Sequence, residues 1–152
     1  MNKLFLAVVL SVFFAGPALA YDKDLAKNYE QYFSSFSGSG TGKAMQFISA
    51  EALVEGQKKG DNLFVLDIRT PGEKAIYGFN MTNSIAIPMN EVFKPESLKK
   101  IPEQLKVVVV CKGGTRAIAV ATGLRNIGFS NVFVLKNGFA DLANYLSATR
   151  AY

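Results

Sequence analysis

From residue 45 onward, apolar positions come in short runs separated by amphipathic stretches. Residues 63–67 read LFVLD and residues 107–110 are four consecutive valines, the pattern of strands covered on both faces. Shorter runs at 46–48 (QFI), 84–87 (SIAI, stopped by Pro88) and 132–135 (VFVL) predict three further strands. Between them, Ser49 can cap a helix reaching about Lys59, and Pro71 opens a short one. Residues 116–127 predict a helix stopped by Gly128, and 139–146 a closing helix. This alternation predicts an α/β domain: a mostly parallel central sheet of about five strands with helices on both faces. The stretch 90–104 follows no clear period and yields no element.

Ahead of the domain, residues 21–36 place Leu25, Tyr29, Tyr32, Phe33 and Phe36 at helical spacing, predicting an N-terminal amphipathic helix. Its aromatic stripe is suited to docking on the domain or on a partner subunit rather than to holding a cofactor. Residues 37–44 read as a flexible Gly/Ser linker. The string GSGTGK within it is not a phosphate-binding loop. That motif needs glycine where Ser37 stands, Ser or Thr where Ala44 stands, and a preceding buried strand. Residues 1–20 have the organisation of a secretory signal peptide. Lys3 is followed by an apolar run at 4–15 broken only by Ser11, then Gly16-Pro17 and the small-x-small site Ala18-Leu19-Ala20. That run falls short of the roughly 20 residues that span a bilayer, and no cysteine follows it to carry a lipid. The expectation is a periplasmic protein with no stable membrane anchor after cleavage, its domain at 45–152.

Composition narrows the chemistry sharply. The 152 residues contain no His, no Trp and one Cys. A Ser-His-Asp triad, a Cys-His pair, an imidazole proton shuttle, a His-ligated metal, a CxxC pair and an internal disulfide are all excluded. No cofactor or metal is expected. Removing Lys3 with the leader leaves 16 Lys+Arg against 12 Asp+Glu, a net charge of +4. The lysines are scattered and form no basic stripe with interleaved aromatics, so nucleic-acid binding is not expected.

In sheets of this kind, ligands gather outside the carboxyl ends of the strands. Two polar clusters fall there: Asp67-Ile68-Arg69, and Cys111-Lys112-Gly113-Gly114-Thr115-Arg116 after the valine strand. Gly113 and Gly114 allow positive φ, so successive backbone N–H groups can turn inward around the sulfur. A helix N-terminus, Lys112 and Arg116 add positive charge, which favours thiolate over thiol and would also hold an anionic substrate. A nucleophile needing no histidine follows, against the alternative of an inert core cysteine.

Cys-x-x-Gly-x-Arg after a hydrophobic strand (Cys111, Gly114, Arg116), preceded by Asp67-x-Arg69, resembles the rhodanese (sulfurtransferase) family. LFVLDIRTPGE, SIAIP and GLRNIGFSNVFVLKNGF extend the resemblance over residues 45–147. It implies transfer of sulfane sulfur from a small anionic donor such as thiosulfate or polysulfide, through a Cys111 persulfide, to a thiol or cyanide-like acceptor. By the same resemblance, Lys112, Gly113, Gly114, Thr115 and Arg116 bind substrate, Arg69 joins them at the rim, and Asp67 braces the loop. Leader, N-terminal helix, single cysteine and Cys-Lys loop together look similar to exported polysulfide-sulfur transferases. Two positions depart from the family: Gly78-Phe79, where Gly-His is frequent, and Ala117, where Ser or Thr commonly follows the arginine.

Three other functions compete. A persulfide carrier or a binding module would share the fold and, for the carrier, every residue named. A cysteine phosphatase or arsenate reductase is disfavoured. Related phosphatases use Cys-x5-Arg, whereas four residues separate Cys111 from Arg116 here, and no acid in the loop can protonate a leaving group. A lone thiol in an oxidising compartment also needs protection. Persulfide formation, a reducing partner protein, or a homodimer through the 21–36 face would each supply it.

Overall fold

The structure, a computed structural model, describes residues 20–78 and 81–147. The signal-peptide expectation, apart from Ala20, and the departure at Phe79 lie outside these residues. Five strands form one sheet in the order β1-β5-β4-β2-β3: β1 (Phe47–Ile48), β2 (Leu63–Asp67), β3 (Ser84–Ala86), β4 (Lys106–Val110) and β5 (Val132–Leu135). Every pairing is parallel. The expected α/β fold is therefore present.

The valine run shows why both faces need covering. Val107 and Val109 point into one core with Leu66, Val132 and Val134, closed by Ala117, Val120, Ala121 and Leu124 of α6 (Thr115–Asn126). Val108 and Val110 point the other way, against Val65 and Leu135. There they meet Leu53 and Val54 of α3 (Ala50–Lys59) and Leu142 of α7 (Gly138–Tyr145). Alternation along a strand makes this unavoidable once the run is central. The same parity carries Cys111, one residue past β4, onto the α6 side, where its side chain joins the first core.

Local chemistry sets most boundaries as expected. Ser49 accepts from the Ala52 N–H at 3.1 Å to start α3, and Gly60, at φ +78°, ends it. Thr70 and Glu73 form a reciprocal capping box on α4 (Pro71–Ile76), with Pro71 in its first turn. Gln46 adopts φ +52°, so β1 begins one residue later than the sequence suggests.

Two segments differ from the sequence expectation. The 37–44 linker is wound: Gly38–Gly40 makes a 3-10 turn and Thr41–Ala44 forms α2, closed by Met45 N–H to the Thr41 carbonyl at 3.0 Å. The unassigned 90–104 stretch contains a 3-10 turn at Met89–Glu91 and a one-turn helix, α5 (Pro95–Leu98). It is held by single anchors, Val92 and Ile101, both in the α6-side core. Elements this short cannot display a 3.6-residue period, which is why the pattern did not reveal them.

The N-terminal helix α1 (Lys23–Phe33) docks on its own domain through one polar junction. Arg125 of α6 donates to the Tyr32 hydroxyl at 2.8 Å, the Val132 carbonyl at 3.0 Å and the Met45 carbonyl at 3.1 Å. Tyr32 also packs edge-on against Phe33, ring centroids 4.9 Å apart. Leu25 and Phe33 nevertheless stay 48% exposed. Among the described residues, no helix is long and apolar enough to cross a membrane.

Because Arg125 serves three segments, Arg125→Met should cost the domain about 2 kcal/mol, the scale of hydrogen bonds to a charged group. Tyr32→Phe should leave the urea midpoint of the domain nearly unchanged while residues 21–36 become cleavable in limited proteolysis. Equal resistance of α1 in both variants and the parent would contradict the junction.

Candidate active site

The parallel sheet aims the ends of β2 and β4 at the same side, and the two polar clusters meet there. Cys111 follows β4 directly and is only 1% exposed. Its Sγ accepts the Gly114 N–H at 3.1 Å, across a turn that Gly114 closes at φ +93° before α6 begins. Lys112, Gly113 and Thr115 are exposed around it.

What shapes the loop is α7, an element that sequence reasoning did not connect to the site. Its first-turn N–H groups reach back, Phe139 donating to the Cys111 carbonyl at 2.7 Å and Ala140 to the Lys112 carbonyl at 3.1 Å. In a trans peptide the N–H lies opposite the carbonyl. Drawing these two carbonyls toward α7 therefore turns the N–H groups of Lys112 and Gly113 to the opposite side. Neither has a hydrogen-bond acceptor among the described residues. Together with the N-terminus of α6, they form a backbone concavity suited to an anion. The approach is close enough to require glycine at 138. That residue sits at φ +63°, and a Cβ there would overlap the Cys111 carbonyl oxygen and lie 2.7 Å from the Gly114 nitrogen. The legible signal was the Asn137-Gly138 pair, a turn dipeptide whose two residues both adopt positive φ.

Asp67 and Arg69 make a buried pair at the end of β2. Arg69 Nε donates to Asp67 Oδ1 at 3.0 Å and Nη2 to Oδ2 at 2.9 Å, while Nη1 donates to the Tyr77 carbonyl at 2.8 Å. The Phe139 ring stacks 3.9 Å from the guanidinium carbon. Asp67 thus meets the Arg69 guanidinium through both carboxylate oxygens. Arg69, expected among the substrate-binding residues at the rim, has a side chain only 3% exposed, with its charge met by Asp67. It ties β2, the segment after α4 and the first turn of α7 into one wall beside the loop.

Arg116 leaves the loop in the company of Glu73, a residue the sequence analysis did not single out. Its guanidinium grips Glu73 by two bonds, Nη2 to Oε1 at 2.6 Å and Nη1 to Oε2 at 2.9 Å. Arg116 first, and the Thr70 backbone N–H second, hold the Glu73 carboxyl down at about 2, against an ordinary 4.5. Arg116 is raised in turn, chiefly by Glu73 and to a lesser degree by Cys111. An incoming anion therefore meets Arg116 as half of an ion pair, and the less compensated positive charge belongs to Lys112 and the N–H groups. Glu73 also caps α4 within a T-x-x-E spacing, a local signal; its second partner, 43 residues away, left no local trace. Among the described residues, no cluster of three or more acidic or cysteine side chains is placed to hold a metal ion.

The fold has relatives among known proteins. The rhodanese-like domain family matches residues 49–145. A sulfurtransferase of Allochromatium vinosum is 28% identical over 98 residues, covering 64% of this chain and 88% of its own. The crystal structure of a rhodanese-related protein from Thermoplasma volcanium superposes with a TM-score of 0.57 at 28% identity, covering 66% of this chain and 93% of that one. A Rhodopseudomonas palustris protein of unknown function, described as a possible tyrosine phosphatase, gives 0.58 at 18% identity over 85% of this chain and 96% of its own. At that identity it shows the fold alone.

Two outcomes follow from the clamp and the ion pair. Gly138→Ala, strained in φ and overlapping loop backbone, should destabilise the protein by about 1–3 kcal/mol and abolish any chemistry at Cys111; chemical denaturation and thiol-alkylation rates would report both. For Glu73 the sign follows from its lowered value: the pair stabilises the fold fully above about pH 4.5 and is lost as pH falls toward 2. The melting temperature of the parent should exceed that of Glu73→Gln by a few degrees, as suits a half-exposed pair. That gap should close on acidification, and a pH-independent gap would contradict the assignment.

Proposed function

The chain belongs to the rhodanese-like domain family, and on that premise we propose that it is a sulfurtransferase moving sulfane sulfur through a persulfide on Cys111. Sulfur transfer in general is what its matched relative performs by name; the persulfide, the donors and the roles below are our reading. The observation carrying it is the seat of the sulfur. Cys111 Sγ accepts the Gly114 N–H at 3.1 Å at the start of α6, in a loop whose Lys112 and Gly113 N–H groups are turned away from α7.

In the first half-reaction, the Cys111 thiolate attacks the outer sulfur of thiosulfate. The S–S bond of the donor breaks, sulfite departs with the electron pair, and Cys111 carries a persulfide. A polysulfide donor reacts alike and leaves one sulfur shorter. In the second, an acceptor thiolate or cyanide attacks the outer persulfide sulfur, and the electron pair of that bond returns to Cys111. Charge is conserved without any proton transfer in either step, which suits a chain with no histidine. Backbone N–H groups and Lys112 would hold the negative charge on the outer sulfur and on the donor, a stabilisation fixed in advance of reaction. Asp67 and Arg69 would keep the wall of the loop in place, and Glu73 would orient Arg116.

A phosphatase is a poorer fit. The loop from Cys111 to Arg116 contains no acid to protonate an alkoxide leaving group, and Glu73, the acid nearest that arginine, is held ionised by it. The label of the Rhodopseudomonas palustris protein stays with that protein.

Intact mass measured after incubation with thiosulfate or polysulfide should show an adduct one sulfur atom heavier, absent in Cys111→Ser and discharged by cyanide. Continuous turnover with excess donor and acceptor identifies a catalyst. A single discharge per chain identifies a carrier, and absence of the adduct with both donors rejects the proposal.

A further inference from the structure

Beside the loop lies a half-open cleft of about 280 Å³ that the steps above leave unused. Its walls are mostly carbon: Ile76 and Tyr77 at the end of α4, and Phe139, Ala140 and Ala143 of α7. Ile76 is 82% exposed and Tyr77 63%, and the two stand side by side at the cleft's edge. The cleft is continuous with the reaction loop, because Lys112 lines it and because Phe139 and Ala140 are the residues whose N–H groups hold the Cys111 and Lys112 carbonyls.

Its charges are nearly all answered within the protein. Arg69 pairs with Asp67 and Glu73 with Arg116. Among the described lining residues, Lys112 alone has no ion-pair partner. A compact, fully hydrated oxyanion gains little here, since carbon walls would strip its water and return one cation. A peptide-sized surface is not matched either: the volume sits at the lower end of the roughly 300–1,000 Å³ typical of small-molecule sites. A slender carbon chain ending in a negative group fits both the walls and the single charge.

We infer that this cleft is the acceptor subsite, and that the acceptor class is an organic thiol with an aliphatic body and one anionic end. The aliphatic body packs on Ile76, Tyr77 and Ala143, the anionic group pairs with Lys112, and the thiolate reaches the outer sulfur on Cys111. The acceptor sulfur forms a bond to that outer sulfur, the Cys111 S–S bond breaks, and its electron pair returns to Cys111. An organic persulfide leaves. The inference rests on the sulfur-transfer reading above, and its test separates the two.

Cys111 is first charged with thiosulfate or polysulfide and the persulfide confirmed by mass; if none forms, it is the sulfur-transfer reading that fails. With the persulfide in hand, KM is measured for mercaptoacetate, 3-mercaptopropionate and 6-mercaptohexanoate, and for uncharged 6-mercaptohexanol. Single-turnover discharge of the charged protein at varied thiol concentration separates binding in the cleft, read as the half-saturating concentration, from the chemical rate. Each buried methylene should lower KM about fourfold, so burying two or more of the four extra methylenes of 6-mercaptohexanoate gives at least a tenfold fall relative to mercaptoacetate. The alcohol should bind several-fold more weakly than the acid. Ala143→Phe, which fills the cleft, should erase the chain-length gradient in KM while persulfide formation on Cys111, read by mass, persists. Should that variant not fold, Ile76→Ser, at an exposed position, should at least halve the gradient. KM independent of chain length, an alcohol equal to the acid, or a gradient that survives both substitutions overturns the inference.

Discussion

The site depends on how the first turn of α7 grips the backbone just after β4. Two N–H groups, from Phe139 and Ala140, take the carbonyls of Cys111 and Lys112, and the missing side chain at Gly138 lets the backbones approach that closely. The orientation of the opposite N–H groups follows from peptide planarity, and with it the concavity that faces the sulfur. A loop of Gly-Gly sequence would otherwise sample many conformations. Here a helix end is used as a clamp, and the loop geometry is settled by the fold itself.

Two ion pairs flank that clamp and differ in kind. Asp67–Arg69 is buried, with carboxylate and guanidinium meeting along two edges and an aromatic ring stacked on the cation. Burying such a pair is expensive in itself, so its value lies in geometry: it holds three chain segments in one register, and losing one partner would strand a charge. Glu73–Arg116 is half-exposed, and its effect is electrostatic. It lowers the net charge that Arg116 brings to the loop, leaving Lys112 and the backbone to meet an anion. The cleft beside the loop inherits this arrangement, with carbon walls and one uncompensated cation.

Much of this was legible along the chain. Helix caps at Ser49 and Thr70, the chain breaks at Gly60 and Gly128, and the strands at 63–67 and 132–135 rest on local chemistry acting within four residues. So does the capacity of Gly113-Gly114 to turn. Illegible segments were those stabilised by single distant anchors: Val92 and Ile101 in the 90–104 stretch, and the wound turns that replaced a linker at 37–44. Arg69 illustrates a subtler limit. The family resemblance set it at the rim of the site, and the fold pairs this cation with an aspartate two residues away at the strand end.

By itself the sequence determined the strand and helix types, the two-faced burial of the valine strand, and the parity that sends Cys111 to the α6 side. It also left one thiol and no imidazole among the groups available for chemistry. These depend on residue type and on periods of 2 and 3.6, which a linear string contains. Only the tertiary structure decided the strand order, the clamp of α7 on the loop, the bond from Glu73 to Arg116 across 43 residues, and the cleft that Ile76 and Phe139 share. Each joins groups far apart in the chain, and no local preference specifies which distant partner a cap, a carbonyl or a guanidinium will meet once the sheet has closed.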